Sequence, residues 1–167
     1  MKLPSHVRGA SRGQALVETA LILPLFLILV LGILDMSRAV WATTSLNSAA
    51  REAARFAIVH GNLAACPVGT SAGNVPALSA SCPNPAPSKQ SIIDAAVSAA
   101  IAGGSNVAVT VCYGAGCSGN TDAVGGTNAR GQPVTVVITS RVDLIVPSLL
   151  GRSGFDLSGS STMVVNH

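Results

Sequence analysis

Charge is what this chain most conspicuously lacks. Asp, Glu, Lys and Arg make up 10% of its 167 residues, where an average soluble domain carries roughly 25%. Aromatic residues are equally sparse at 3%, with a single Trp and a single Tyr. A water-exposed globule so poor in charge is hard to keep in solution. The 49% apolar content and mean hydropathy of +0.53 also exclude disorder of the whole chain, which needs low hydrophobicity and high charge. Three of the basic residues, Lys2, Arg8 and Arg12, precede residue 14, and the seven that follow balance seven acids. No basic face is left for nucleic acid.

Catalytic constellations are missing too. His6, His60 and His167 sit in no metal or nucleophile motif, and no G-x-S-x-G occurs. Beyond residue 61 the only acids are Asp94, Asp122, Asp143 and Asp156, few candidates for a paired-carboxylate site. Six glycines fall between 114 and 131, yet neither phosphate-binding glycine pattern is present. That stretch reads as a surface hairpin loop, with Asn120-Thr121-Asp122 at its tip as a weak ion-binding candidate. With no C-x2-C pair, zinc is disfavoured. The expectation is a non-enzymatic protein with no cofactor and no metal.

What is present begins with a basic head, residues 1–13, followed by ALVETALILPLFLILVLGIL at 15–34. Twenty residues at about 1.5 Å each span roughly 30 Å, the hydrocarbon thickness of a bilayer. A buried core helix is the competing reading, but few core helices are apolar all round for so long. The preceding basic residues predict a cytoplasmic N-terminus. Ordinary signal-peptidase cleavage fits poorly, since Asp35 and Arg38 close the run. The nearest small-residue site, Val40-Trp41-Ala42, lies beyond them. Glu18 is the one charge within 15–34. It either stays wet near the cytoplasmic interface or needs a partner, and an intramembrane acid is a functional hypothesis by default. Pro24 predicts a kink that a membrane helix tolerates.

From 35 to 60 the helix is expected to continue, with Gly61 as its stop. Small or apolar residues at 39, 42, 46, 50, 53 and 57 recur every three or four positions. This stripe is read as the face that packs on the protein's own outer domain, with a subunit contact as the alternative. Glu52 and Arg55 can pair on the other side, and Trp41 suits the outer interface. Residues 61–90, interrupted by Pro67, Pro76, Pro83, Pro85 and Pro87, form a long loop. Residues 91–102 read as a helix with Ile93, Val97 and Ala100 on one face, ended by Gly103-Gly104. Three period-two segments follow, carried by Val107, Val109 and Val111, then Val134, Val136, Ile138, Val142 and Leu144, then Phe155, Leu157, Met163 and Val165. The predicted class is α+β, a long N-terminal helix followed by an outer domain at 91–167 with one helix and an antiparallel sheet of about three strands. Cys66, Cys82, Cys112 and Cys117 all lie beyond the span, and an even count there suggests disulfides in an oxidising compartment. Three connectivities are possible. Cys66–Cys82 with Cys112–Cys117 is preferred, because each bridge then closes its own loop.

Gly13-Gln14-Ala15-Leu16-Val17-Glu18 resembles the type IV prepilin signature, in which a glycine ends a basic leader and a glutamate is fifth in the mature chain. Pro24, Gly32-Ile33-Leu34-Asp35 with Arg38, and Ala49-Ala50-Arg51-Glu52-Ala53-Ala54-Arg55 further resemble the TadE-like minor pilins, or pseudopilins, of the tight adherence (Flp) system. Thr19 departs from the aromatic that many members carry after the glutamate. The resemblance implies cleavage between Gly13 and Gln14 by a prepilin peptidase. It also implies a role for Glu18 in registering the new α-amine of a neighbouring subunit. The implied partners are the membrane, the peptidase, other pilin subunits and the assembly platform. The implied location is single-pass in a bacterial inner membrane, with the outer domain extracytoplasmic or in the pilus, and cell adhesion as the outcome. The rival readings are an uncleaved membrane-anchored scaffold or binding protein, and a soluble protein released after Ala42.

Overall fold

The computed structural model describes residues 10–68, 82, 88–100, 105–117, 122–123, 126–149, 151 and 154–166. The leader before residue 10, most of the 61–90 loop, Gly103-Gly104 and Asn120-Thr121 lie outside the described residues. Helix α1 (Ala10–Val59) is unbroken for 50 residues and runs through Pro24. At 1.5 Å per residue this is about 75 Å, far longer than any domain of this size needs. Its outer half carries the core. Leu46, Ala49, Ala50, Ala53, Ala54 and Ala57 are wholly buried, so the small-residue stripe does face the protein's own outer domain. Glu52 and Arg55 pair on the exposed side at 3.8 Å.

Three antiparallel strands form one sheet in the order β1-β2-β3: β1 (Ser105–Tyr113), β2 (Pro133–Val142) and β3 (Phe155–Val164). In β2 burial alternates through Val134, Val136, Ile138, Ser140 and Val142, the expected period of two. Helix α1 lies across β2 and β3, while α2 (Lys89–Ala99) bridges α1 and β1. Helix α2 is turned by about one residue from the expected face. Ile92, Ala96 and Ala100 are buried, Ile93 only partly, and Val97 is exposed. With alanines all round, an 11-residue helix does not fix its own phase. The packing against α1 does.

Closest approach of helix and sheet falls at Gly159. A Cβ there would stand 2.6 Å from the Leu46 carbonyl carbon and 2.7 Å from the Asn47 nitrogen, so only glycine lets β3 lie against the α1 backbone. Disulfides Cys66–Cys82 and Cys112–Cys117 are both formed, with Cα–Cα distances of 5.4 and 6.0 Å. The second closes a tight turn through Gly114 (φ 99°) and Gly116 (φ 74°), left-handed backbone that favours glycine.

Asp122 corrects the expectation of an exposed ion-binding tip. Its carboxylate points inward, accepting from Lys89 Nζ at 2.7 Å and the Tyr113 backbone N–H at 2.8 Å. It thereby ties the loop to the start of α2 and the end of β1. Burial, and secondarily the Asp122 charge, push the Tyr113 hydroxyl well above its ordinary pKa.

Candidate functional site

The inner half of α1 is the part of the molecule that its own fold does not use. From Gly13 to Leu29 every residue is exposed, including Leu21 at 74% and Phe26 at 58%. No other part of the described chain covers this apolar surface. By length and composition α1 can cross a membrane, and its uncovered apolar surface makes it a single-pass anchor. Within the span Thr19 donates to the Ala15 carbonyl at 2.9 Å, so its hydroxyl does not need water.

Gly13, Gln14, Val17, Glu18 and Leu21 line one shallow groove on the α1 surface. The helical repeat brings Gln14 and Glu18, four apart, onto one face. Glu18 is exposed. A Cβ on Gly13 would meet nothing within 4 Å. Glycine inside a helix costs about 1 kcal/mol relative to alanine, and no contact among the described residues requires it at 13.

Asp35 was read from the sequence only as the charge that closes the apolar run, and the structure gives it a partner. The carboxylate is buried and accepts the backbone N–H groups of Ile145 at 3.0 Å and Val146 at 2.7 Å. These two amides open the short helix α3 (Ile145–Leu149). First-turn N–H groups of a helix have no internal partner, and the preceding residue, Leu144, has no side-chain acceptor. A helix without a local cap was the only sequence signal that a distant acceptor was needed. The Val146 and then the Ile145 N–H hold the Asp35 carboxyl below its ordinary pKa; burial opposes this, and Arg38 lowers it further.

The sequence-selected residues thus fall into two groups. Gly13, Gln14 and Glu18 share the exposed inner end of α1. The four cysteines lie in the outer domain and staple its loops. Among the described residues no cluster of His, Cys, Asp or Glu is arranged to hold a metal. No curated protein and no solved structure matches the chain. One family model, described as TadE-like protein, matches residues 13–55. It starts at Gly13 and runs through the apolar span and most of the alanine stripe. The segment that carries Gly13, Glu18 and Asp35 is thus similar to the TadE-like family, on a helix long and apolar enough to cross a membrane.

Proposed function

We propose that this protein is a minor pilin-like structural subunit needed to assemble a tight adherence (Flp) pilus, clipped by a prepilin peptidase between Gly13 and Gln14. The TadE-like match associates the chain with a pilus system and with a structural role. The observation that carries the finer reading is Glu18, an exposed acid on an apolar, uncovered helix, one turn from the future N-terminus at Gln14. A charge in the bilayer costs on the order of 2.5–3.5 kcal/mol at a helix centre and less toward its end, so a passive anchor gains nothing from it. A neighbouring subunit's α-amine would compensate it. A mis-registered neighbour would leave the charge unpaired, which makes the pair a device for specifying register more than a source of stability. In this reading Gly13 serves the peptidase, because a residue without Cβ lets the enzyme reach the backbone.

The test is Glu18→Leu. The variant should insert stably and still be clipped after Gly13, yet fail to support pili. Glu18→Asp should be intermediate, keeping the charge with one methylene less reach. Pilus recovery from sheared cells is the measurement, with membrane abundance as the control. Normal piliation with Leu at 18 would refute the registration role and favour an uncleaved anchored scaffold.

A further inference from the structure

The apolar run of α1 ends at Leu34, and Asp35 follows it directly. Because Asp35 grips the first two amides of α3, α3 is fixed at the level where the helix leaves the hydrocarbon. The end of the sheet lies there too. Phe155 pairs with Val142, three residues before Ile145, and Gly159, four residues further along β3, abuts the backbone of Leu46. Phe155 therefore stands at the end of the sheet that leads into Ile145 and Asp35.

Two large apolar side chains are left open on this rim, Ile145 at 39% and Phe155 at 49% exposure. From Leu144 to Leu149 the chain carries no charge. Several of its polar groups are paired within the protein. Asp35 takes the first amides, the Ser148 N–H donates to the Leu144 carbonyl at 3.3 Å, and Ser148 Oγ donates to the Ile145 carbonyl at 2.7 Å. The nearby charges are Arg38 on α1, which acts on Asp35, and Arg141, Asp143 and Asp156 at the strand ends, where Arg141 and Asp143 pair at 3.9 Å. The rim therefore has a charged border, and on α1 Ile33, Leu34 and Met36 are exposed at the level of Asp35.

We propose that Ile145 and Phe155 lie in the outer leaflet of the bilayer that α1 spans, so that the domain is seated on lipid at a second contact and does not merely hang from its helix. Asp35 is the positioning residue that holds α3 at that depth. The proposal requires that α1 cross the membrane and is independent of any pilus role. The occupant is lipid because Asp35 holds α3 at the level where the apolar, uncovered run of α1 ends.

The full chain contains one Trp, Trp41, which makes a depth measurement simple. In a Trp41→Phe background, Ile145→Trp, Phe155→Trp and Val164→Trp are each reconstituted into phosphatidylcholine vesicles. Some vesicles contain lipid brominated near the top of its acyl chains, others lipid brominated near the chain ends. Val164 is an exposed apolar residue at the far end of β3 and serves as the reference. Trp at 145 and at 155 should be quenched by the shallow bromines more than by the deep ones. Their quenching constants with aqueous acrylamide should be several-fold below that of Trp at 164. A Trp at 145 and 155 as open to acrylamide as at 164, with no response to bromolipid, overturns the proposal. Shielding from both quenchers overturns it as well, because protein would then cover the rim. In the same Trp41→Phe background, Phe26→Trp, exposed within the span, should be quenched by the deep bromines and reports insertion of α1. Its absence would remove the anchor and the proposal together.

Discussion

Gly159→Ala puts a single methyl group where β3 crosses α1. Its Cβ would lie 2.6 Å from the Leu46 carbonyl carbon, 2.7 Å from the Asn47 nitrogen and 2.8 Å from the Leu46 oxygen, where ordinary contact begins at 3.4 Å. All three atoms are backbone within a continuous helix, so no side-chain rotation relieves the overlap. Helix and sheet must separate by several tenths of an ångström along a seam that includes Ala49, Ala50 and Ala53, all fully buried. Overpacking of this kind costs about 1–3 kcal/mol. For a chain of 167 residues each kcal/mol lowers Tm by about 2–4 °C. Thermal unfolding of the detergent-solubilised full chain, followed by circular dichroism, measures the shift. Leu46→Ala should not rescue the variant, because it removes none of the three atoms and adds a cavity cost of about 2–5 kcal/mol of its own. An unchanged Tm for Gly159→Ala, or rescue by Leu46→Ala, would refute the close-approach argument.

Three further outcomes are expected. Asp35→Asn should weaken the grip on α3, read as faster hydrogen exchange at the Ile145 and Val146 amides with the sheet amides unaffected. Since the Asp35 carboxyl is held below its ordinary pKa in the folded state, its contribution is complete above the ordinary carboxyl range and disappears as pH falls through the lower, folded-state value. The protection of those two amides relative to intrinsic exchange should therefore hold at neutral pH and fall only in strong acid. Cys66→Ser combined with Cys82→Ser opens a bridge of sequence separation 16. The expected loss is about 3 kcal/mol in the chain-entropy picture, measured by denaturant unfolding, with Cys112–Cys117 still present on peptide mapping. Gly13→Val should leave the leader attached, seen as an unclipped intact mass in the membrane fraction. Because a side chain at 13 meets nothing in the fold, a processing defect could not be assigned to misfolding.

Much of this architecture is written locally in the sequence. An apolar run of twenty residues, an alanine stripe recurring every three to four positions and three segments of period two each report their own environment, because a helix or strand repeats its faces at a fixed interval. The spacing of Gly13 and Glu18 on the inner end of α1 is likewise a property of one helix. Tertiary structure decided what such periodicity cannot carry. Asp35 and Ile145 are 110 positions apart, and no local signal names one as the partner of the other. Gly159 sits in a strand whose pattern gives no hint that α1 will cross at that residue. Asp122 looked like an exposed loop acid until Lys89 and the Tyr113 amide were brought to it. The face of α2 was set by α1, since alanine on several sides of a short helix leaves its rotation undetermined. Periodicity fixes which residues face inward along one element. Which element meets which, and how closely, depends on contacts between distant parts of the chain, and those exist only once it has folded.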